Sequence, residues 1–463
     1  MAVHSPSGRQ VTTWGELHRR GLAARRWAAE QLSGGDRVVL AMDNSAASVA
    51  AFAGLTAAGH PIVCVDPDGA GPGSGAPSRS GVTPWEVVVD PRVAVADAAS
   101  RGRPDRAPAL RSDGDVAVFQ LSSGSTGPPR LVRQTVSACV RGGRIYRDLH
   151  GYRPADRVFA GVPIAHSFGL VGGMVAAVVS GAELVLLSRF SPAAAGAVLT
   201  QGVDVLLGTP LVHRLLAQAW LPGSLPRGVR VALSSGGPME AAVADGAQRL
   251  LGTPVRQVYG STETGLVACQ FDRPEPWPPG CVGVAAPGVS WQTREDQQGG
   301  KRLLVRTSTM FDGYLDPDGR ELGPDGPPGL FDTGDLVELD PAGHLFVVAR
   351  KATFINVGGR KVNPLSVESL IREHPAVRDA HVLGAARHGE QEVQAVVVLR
   401  PGTDVETLLR FCRTRLARHE GPHRVHVVDR IPRTGMGKVD STALRGLLKP
   451  HSGPGAGPGR PGS

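Results

Sequence analysis

Short apolar runs alternate with helical patterns along most of this chain. Residues 37–42, 183–187 and 255–259 are rich in valine and leucine, and alanine-rich or amphipathic segments such as 14–31 and 46–58 lie beside such runs. This alternation is typical of parallel β-sheets that are covered by helices on both faces. At 463 residues the chain is too long for one ordinary core, so two or three domains are expected.

The pattern changes toward the C-terminus. From about residue 280, short strands with glycine-containing turns predict a small β subdomain. After Arg350 a compact module of helices and strands is predicted, including a helix over 405–418. Residues 451–463 are almost all glycine, proline and serine, a composition typical of disorder.

The charge of the chain is unevenly distributed. The net charge is +8, and residues 353–450 hold 16 Lys/Arg against 10 Asp/Glu, so this module carries +6 of it. A basic module favours an acidic partner, such as a phosphate-bearing cofactor or an acidic carrier protein. Nucleic acid is disfavoured, because the aromatic fraction is only 5% and no nucleic-acid motif is present. An ordinary solvated basic surface is an equal alternative.

The cysteines and the apolar stretches indicate in which cellular compartment the protein is expected. The five cysteines are scattered, without zinc-site spacing or a disulfide framework, which predicts a reducing, cytoplasmic setting. The N-terminal residues lack the apolar region of a signal peptide. The longest apolar stretch, 171–187, is interrupted by Ser180, Gly181 and Glu183, and it predicts a core helix and strand rather than a membrane span.

Residues 121–132 read LSSGSTGPPRLV and follow an apolar run that predicts a strand. Glycines allow close approach of the backbone to a ligand, and successive N–H groups in such a turn form a concave anion site. The hydroxyl groups add donors, and Arg130 adds a cation that can bind phosphate through two parallel bonds. The loop therefore predicts a polyphosphate site, with a flexible linker as the weaker alternative. It lacks the closing Gly-Lys-Ser/Thr of a Walker A loop.

Three further segments carry side chains suited to nucleotide chemistry. Residues 259–265 read YGSTETG and combine an aromatic ring and hydroxyls with Glu263, which suits phosphate and Mg²⁺; a capped turn is the alternative. Residues 331–336 read FDTGDL, where a carboxylate suits ribose hydroxyls and an Asx turn is the alternative. Residues 431–440 place Lys438 beside glycines, where its charge could meet a developing negative charge; an ordinary surface lysine is the alternative.

A histidine lies in an apolar segment, 163–170, which reads PIAHSFGL. A lone histidine in such surroundings is more often a packed side chain than a catalyst. His166 gains weight as a functional residue only from the other motifs.

With these segments in one chain and in this order, the sequence resembles the adenylate-forming superfamily, which includes acyl- and aryl-CoA synthetases, adenylation domains of nonribosomal peptide synthetases, and luciferase. The resemblance spans about residues 10–448. It implies an α/β adenylation core over 1–349, with two α/β sheet subdomains and a small β subdomain over about 280–349. It further implies a hinge at 350–352, a small mobile α+β domain over 353–450, and a disordered tail over 451–463.

The resemblance assigns a role to each motif. The loop would cover the β- and γ-phosphates of ATP, residues 236–238 would line the adenine, and the ribose would be clamped from 335 and 350. The residues implied to bind ATP are Ser122, Ser123, Gly124, Ser125, Thr126, Gly127, Arg130, Gly236, Gly237, Pro238, Tyr259, Gly260, Asp335 and Arg350. Those implied in catalysis are Thr262 at the α-phosphate, Glu263 as the Mg²⁺ ligand, Lys438 between carboxylate and α-phosphate, and the gate residue His166. The implied acyl pocket comprises Ser167, Phe168, Val171, Leu233, Ser235, Val258, Leu266 and Val267, and the implied thiol channel comprises Gly358 and Gly359.

The implied reaction has two steps. A carboxylate attacks the α-phosphorus of ATP to give acyl-AMP and pyrophosphate, while Mg²⁺ and Lys438 neutralise charge. The small domain then rotates, and the thiol of CoA or of a phosphopantetheinyl carrier protein attacks the acyl-AMP. The protein would be a monomer or homodimer with no membrane or nucleic-acid partner.

The resemblance also bears on the substrate, and it leaves the nucleophile and the effects of two unusual residues open. Adenylation domains for α-amino acids carry an aspartate where Ser167 stands, and a hydroxyl cannot balance a buried ammonium, so the resemblance favours an aryl or medium-chain acyl acid. An amine or inorganic nitrogen nucleophile, or a non-catalytic nucleotide-binding relative, stays open as an alternative. Arg130 stands where the family usually has lysine, so its effect on ATP binding is open. Ala352 stands where the hinge usually has Asp or Lys, so the coupling of domain rotation to catalysis is open as well.

Overall fold

The computed structural model describes the chain in two compact units. The described residues are 1–5, 8–33, 36–67, 86–89, 116–122, 130–221, 224, 228–273, 275–296, 300–315, 321–323, 329–350, 355–357, 360–387, 390–434 and 437–448. The first unit comprises Met1–Phe354 with Gly435–Lys438, and the second Ile355–Thr434 with Val439–Ser463. The predicted hinge residues 351 and 352 and the predicted tail lie outside the described residues.

The first unit is built of strands and helices in alternation. Its strands are β1 (Ala2–Ser5), β2 (Gly8–Val11), β3 (Arg37–Ala41), β4 (Ile62–Val65), β5 (Glu86–Val89), β6 (Ala117–Leu121), β7 (Leu131–Thr135), β8 (Arg157–Ala160), β9 (Glu183–Leu187), β10 (Val205–Gly208), β11 (Val231–Ser234), β12 (Val255–Ser261), β13 (Gly265–Cys269), β14 (Cys281–Ala285), β15 (Ser290–Glu295), β16 (Lys301–Arg306), β17 (Gly313–Leu315), β18 (Glu321–Leu322), β19 (Phe331–Leu339) and β20 (Leu345–Arg350). Its helices are α1 (Trp14–Gln31), α2 (Ala46–Ala57), α3 (Val136–His150), a π-helix (Phe168–Val175), α4 (Ala176–Ser180), α5 (Pro192–Thr200), α6 (Pro210–Ala219) and α7 (Ala241–Leu251).

Two sheets organise these strands. One sheet runs in the order β15-β16-β19-β20-β14-β13-β12-β11-β10-β8-β9-β1-β2, and the other in the order β18-β17-β7-β6-β4-β3-β5. The central neighbours β9, β8, β10, β11 and β12 pair in parallel, as do β5, β3, β4 and β6. This architecture confirms the predicted α/β fold class. The strands after residue 280 pair antiparallel; β14–β16, β19 and β20 continue the first sheet beyond β13.

The core lies on both faces of the parallel strands. Successive residues of a strand point to opposite faces, so Leu206 joins one buried cluster and Leu207 another. In the same way Val185 faces the cluster of Leu206, whereas Leu184 faces the cluster of Leu207. This double burial explains the continuous apolar runs in the sequence.

Helices α1 and α2 pack closely at glycines. A Cβ built on Gly54 would lie 2.3 Å from the carbonyl oxygen of Gly21 and 2.7 Å from the Cβ of Ala24. Neither atom can rotate away, so any side chain at residue 54 would push the helices apart. The helix α1 begins as the sequence predicts, because the Thr13 side chain accepts a hydrogen bond from the Glu16 amide at 3.1 Å.

We expect Gly54→Ala to lower the free energy of unfolding by about 1–3 kcal/mol, because the added methyl group overpacks the helix contact. The matched control is Gly15→Ala in α1, where a Cβ would meet nothing within 4 Å. Because alanine is the better helix former, this control should leave stability unchanged or raise it by up to about 1 kcal/mol. Urea unfolding followed by circular dichroism measures both variants, and equal effects would contradict the close packing.

The second unit is smaller. Its elements are β21 (Ile355–Val357), β22 (Arg360–Val362), α8 (Pro364–Glu373), β23 (Val377–Arg387), β24 (Glu390–Leu399), α9 (Val405–Arg413), β25 (Arg424–Val427) and α10 (Ser441–Leu448). Strand β24 is central, antiparallel to β23 and parallel to β25. The helix predicted over 405–418 ends early, at Arg413. The Glu420 carboxylate accepts a hydrogen bond from the Ala417 amide at 3.0 Å, which closes a turn instead of a further helical turn.

None of the described helices is both long and apolar enough to cross a bilayer. The apolar stretch 171–187 instead forms most of the π-helix, α4 and β9, as predicted for core elements.

Candidate active site

The carboxyl ends of four parallel strands lie along one edge of the first sheet. Strands β8, β10, β11 and β12 run in the same direction, so the segments that follow them meet at that edge. These segments carry the 163–170 motif, residues 235–238 and the 259–265 motif. The edge is therefore the candidate active site of the first unit.

Tyr259 and Asp335 form a direct contact at this edge. The Tyr259 hydroxyl donates a hydrogen bond to Asp335 Oδ2 at 2.6 Å, and Asp335 is only 8% exposed. Asp335 lies on β19, where its backbone pairs with that of Arg350 on β20. The amide of Asp335 donates to the Thr333 hydroxyl at 3.1 Å, which fixes the turn before it. The structure thus brings together the Tyr259 ring, the Asp335 carboxylate and the backbone of Arg350. The resemblance assigned all three residues to the nucleoside of ATP.

A second contact joins the 163–170 and 259–265 motifs. The Ser167 hydroxyl donates to Thr262 Oγ1 at 3.2 Å, and the Gln134 side chain donates to the Thr262 carbonyl at 2.7 Å. The turn that carries Thr262 requires glycine, because a Cβ on Gly260 would lie 2.0 Å from the Gly265 carbonyl oxygen. Two hydroxyl groups from different segments are therefore held side by side.

Glu263 contacts a tyrosine that the sequence analysis missed. The Tyr314 hydroxyl donates to Glu263 Oε1 at 3.5 Å, and the Arg130 guanidinium carbon lies 5.1 Å from the centre of the Tyr314 ring. Tyr314 lies on β17, next to Val132 of β7, which explains how it reaches both residues. Among the described residues, no group of three or more His, Cys, Asp or Glu side chains could hold a metal ion. A single carboxylate is nonetheless compatible with Mg²⁺, which commonly takes one or two carboxylates together with substrate phosphates.

The predicted phosphate loop connects β6 to β7. Leu121 pairs with Leu131, the Ser122 amide donates to the Arg130 carbonyl at 2.8 Å, and the Arg130 amide donates to the Ser122 hydroxyl at 3.1 Å. Ser122 and Arg130 thus mark the two ends of the loop. Loop residues 123–129 lie outside the described part of the chain, and they include the predicted ATP-binding residues Ser123, Gly124, Ser125, Thr126 and Gly127.

The segment before His166 is anchored by the second sheet. Asn44 Oδ1 accepts from the Ile164 amide at 2.9 Å, and Gln120 Nε2 donates to the Ala165 carbonyl at 2.8 Å. His166 Nε2 lies 3.5 Å from Asp66 Oδ2. Asn44 and Asp66 were not anticipated, although both follow parallel strands, β3 and β4, at their carboxyl ends. The rule that ligands bind at this end of a parallel sheet could have identified them.

The predicted acyl-pocket residues fall into two packing groups. Leu233, Val258, Leu266 and Phe168 are buried in one apolar cluster, and Val171 packs against it. Val267 is buried in a different cluster, because neighbouring residues of β13 face opposite sides of the sheet. Ser235 follows β11, and its amide donates to the Gly208 carbonyl at 3.3 Å.

Two further predicted segments are placed as follows. Gly236, Gly237 and Pro238 follow β11 after Ser235 and are exposed, with a φ of +93° at Gly236 that suits glycine. Lys438 is half-buried, follows a glycine with a φ of +73°, and is grouped with the first unit. Gly358 and Gly359 lie outside the described residues.

A buried histidine supports strand β11, which carries the predicted pocket residue Leu233. His213 is fully buried on α6, and burial lowers its pKa to about 4, so the ring is neutral at physiological pH. Its Nε2 donates to the Leu233 carbonyl at 3.0 Å. His213 therefore fixes the end of β11, a role that no sequence motif indicated.

The cysteine thiols are unsuited to act as nucleophiles. All five are buried free thiols, and burial raises the pKa of Cys139 and of Cys269 to about 12. Such thiols stay protonated at physiological pH and are inert as nucleophiles.

Comparison with protein families gives two matches. A family model described as AMP-binding enzyme matches residues 75–315, and one described as AMP-binding enzyme C-terminal domain matches residues 366–438. Together they cover parts of both structural units.

Curated relatives have sequence identities near 30%. A salicylyl-CoA synthase / salicylate adenylyltransferase of a Streptomyces species is 30% identical over 76% of this chain and 66% of its own length. A medium-chain fatty-acid–CoA ligase of Escherichia coli is 29% identical over 73% of this chain and 62% of its own length. A probable 2-succinylbenzoate–CoA ligase of Mycobacterium tuberculosis is 32% identical over 72% of this chain and 84% of its own length. The match thus spans about two thirds of the length of the first two relatives.

Solved structures share the fold. ATP-bound MatB from Rhodopseudomonas palustris superposes with a TM-score of 0.80 at 24% identity, covering 97% of this chain and 96% of that one. The O-succinylbenzoate coenzyme A synthetase MenE from Bacillus subtilis, in complex with AMP, superposes with a TM-score of 0.79 at 23% identity, covering 97% and 95%.

Proposed function

Because the chain belongs to the family of AMP-binding enzymes, within the adenylate-forming superfamily, we propose that it activates a carboxylic acid with ATP and transfers the acyl group to a thiol. The first step would give acyl-AMP and pyrophosphate. The observation that carries the proposal is the pair of contacts on and just after β12. The Tyr259 hydroxyl donates a hydrogen bond to Asp335, and three residues later Thr262 accepts a hydrogen bond from Ser167. These contacts support a nucleoside site beside the start of the predicted acyl pocket.

The proposed ATP site uses side chains from both sheets. The Tyr259 ring would stack on adenine while its hydroxyl orients the Asp335 carboxylate toward the ribose. The phosphates would lie between the Ser122–Arg130 loop and Thr262. Glu263 would hold Mg²⁺, which when bound polarises phosphate oxygens. Lys438 would bind the oxygens that gain charge as the carboxylate attacks.

The proposed substrate is an aryl or medium-chain carboxylic acid whose acyl group carries no further charge. The buried pocket candidates Phe168, Leu233, Val258 and Leu266 are all apolar. The Ser167 side chain carries no negative charge. Its hydroxyl group donates a hydrogen bond to Thr262 and therefore does not donate to a substrate. A buried α-ammonium group would lack a partner there and would be costly. The names of two relatives, which refer to salicylate and to medium-chain fatty acids, agree with this class.

The proposed acceptor is CoA, with a phosphopantetheinyl carrier protein as the second candidate. Two of the relatives described above are named as CoA ligases, and the excess of +6 charge over 353–450 suits a phosphate-bearing or acidic partner. Gly358 and Gly359 stay predicted as thiol-channel residues. An amine acceptor would use the same adenylate.

Exchange of labelled pyrophosphate into ATP across a panel of acids tests the first step. We expect exchange with aryl or medium-chain acids to be at least about tenfold faster than with α-amino acids, because the pocket offers no counter-charge. Addition of CoA should then yield a thioester. Exchange with no acid of the panel would contradict the enzymatic proposal, and fastest exchange with an α-amino acid would contradict the substrate class.

A further inference from the structure

We propose that Tyr314 is a positioning residue of the ATP site, which holds the Arg130 guanidinium over its ring and the Glu263 carboxylate at its hydroxyl. The inference rests on the proposed function, in which these two charges bind the terminal phosphates of ATP and their Mg²⁺. Tyr314 acts through the two side chains and not on ATP itself. Its ring also gives a physical reason for the arginine at residue 130, where the superfamily usually has lysine.

The pairing of β17 with β7 brings Arg130 to the ring. Tyr314 lies opposite Val132, and Arg130 precedes Val132 by two residues, so it projects toward the same face of the sheet. Such diagonal neighbours are within reach of aromatic and long side chains. The Arg130 guanidinium carbon lies over the Tyr314 ring, 5.1 Å from its centre, which is a cation–π distance. A planar guanidinium stacks on a ring in a way that a lysine ammonium cannot.

The Tyr314 ring is itself held in place by packing. It is only 6% exposed. Phe311 packs against it edge-on with 4.8 Å between the ring centres, and Phe331 packs against Phe311 at 5.2 Å. The preceding residue, Gly313, has a φ of +155°, and a Cβ there would lie 2.3 Å from the Leu322 carbonyl oxygen. A ring that its neighbours fix in this way can orient a flexible charged side chain.

The hydroxyl of Tyr314 reaches the second charge. It donates to Glu263 Oε1 at 3.5 Å, and no other side chain in the described part of the chain forms a hydrogen bond or ion pair with Glu263. The Phe311 amide donates to the Glu263 carbonyl at 2.8 Å, which ties the backbone of Glu263 to the segment that carries Tyr314. The carboxylate is therefore oriented while its negative charge stays available to a cation.

Tyr314 thus keeps two opposite charges in separate places. Arg130 contacts the ring and Glu263 contacts the hydroxyl, and these two residues do not form an ion pair with each other. An ion pair between them would compete with the phosphates for Arg130 and with Mg²⁺ for Glu263. Ordering a long side chain on binding also costs free energy, which is smaller when the side chain is already held. Tyr314 should therefore raise the affinity for ATP by preorganisation.

Separate calorimetric titrations with ATP and with AMP test this role of the ring. AMP lacks the two phosphates that Arg130 is proposed to bind, so misplacement of Arg130 affects ATP alone, whereas general damage to the site affects both nucleotides. We expect Tyr314→Leu to weaken ATP binding about 3- to 10-fold, as for the loss of a cation–π contact, and to change AMP binding less than about twofold.

Tyr314→Phe isolates the hydroxyl, because it keeps the ring and its packing. Without Mg²⁺ this variant should bind ATP as the wild type does. The gain in ATP affinity on adding Mg²⁺ should fall about 2- to 5-fold, because the variant loses the hydrogen bond that orients the proposed Mg²⁺ ligand Glu263. An unchanged gain would by itself overturn the inference, so the test stands even if the leucine variant does not fold.

A double-mutant cycle identifies the path of the effect. If the ring acts through Arg130, Tyr314→Leu should weaken ATP binding little further in a protein that already carries Arg130→Ala. The matched control is Phe411→Leu in α9, which removes another ring that lies under an arginine, with the Arg415 guanidinium carbon 4.0 Å from its centre. This control should bind both nucleotides like the wild type.

The outcomes separate the inference from the proposed function. Equal weakening of ATP and AMP binding by Tyr314→Leu, unchanged ATP binding, or additive effects with Arg130→Ala would overturn the inference while wild-type pyrophosphate exchange remains. Wild-type protein that binds neither nucleotide would overturn both. Nucleotide binding that responds to the variants as expected, without exchange on any acid, would overturn only the proposed reaction.

Discussion

Lys438→Ala is expected to slow pyrophosphate exchange by about 100- to 1,000-fold, because it removes a charge proposed to stabilise the transition state of carboxylate attack. The predicted loss lies mainly in kcat, since the lysine is proposed to bind oxygens that gain charge during the step. Lys438→Arg should recover only part of the rate, because a planar guanidinium cannot reproduce a compact ammonium at the same point. Initial exchange rates at saturating ATP and acid provide the measurement.

The control for this loss is Lys301→Ala. Lys301 is an exposed residue at the start of β16 and has no proposed part in the reaction. Exchange by this variant should match the wild type, which excludes a general effect of removing a lysine. Near-wild-type exchange by Lys438→Ala would contradict the proposed role of the residue.

Asp335→Ala is expected to raise the KM for ATP about 10- to 100-fold, because the variant loses a charged acceptor for ribose and leaves the Tyr259 hydroxyl without this partner. Tyr259→Phe separates these two effects. It keeps the ring that is proposed to stack on adenine and removes only the hydroxyl that donates to Asp335 at 2.6 Å. We expect a rise of about 2- to 10-fold for this variant, as for the loss of one hydrogen bond.

Comparison of ATP with 2′,3′-dideoxy-ATP shows whether the carboxylate recognises ribose. The wild-type protein should discriminate against the dideoxy nucleotide, whereas Asp335→Ala should bind both nucleotides similarly. Tyr259→Phe should retain most of the discrimination, since its carboxylate is intact. Undiminished discrimination by Asp335→Ala would show that the ribose is bound elsewhere.

The fold was largely predictable because its signals are local. Apolar runs, the Thr13 cap and helical patterns each depend on a few neighbouring residues, and the described strands follow them closely. The hairpin of β1 and β2 was missed. Each strand has only four residues, and β1 is held by parallel pairing with β9, far along the chain.

The candidate site was predictable as motifs but not as contacts. The Tyr259–Asp335 and Ser167–Thr262 hydrogen bonds join residues 76 and 95 positions apart, so no local pattern encodes them. Tyr314 reaches Glu263 only because β17 pairs with β7. Packing also separates Val267 from Leu266, although the motif treats the two alike. Long-range pairing, which no single-sequence pattern contains, decided these features.

The fate of oxygen-18 from the labelled acid tests the central claim most directly. When the carboxylate attacks the α-phosphorus and a thiol then cleaves the acyl–oxygen bond, one carboxylate oxygen remains on the phosphate of AMP. A full turnover with ATP, CoA and an acid labelled in both oxygens should therefore yield AMP that carries one oxygen-18 atom, detectable by mass spectrometry. Unlabelled AMP, or ADP together with labelled inorganic phosphate, would contradict adenylation of the acid by this protein.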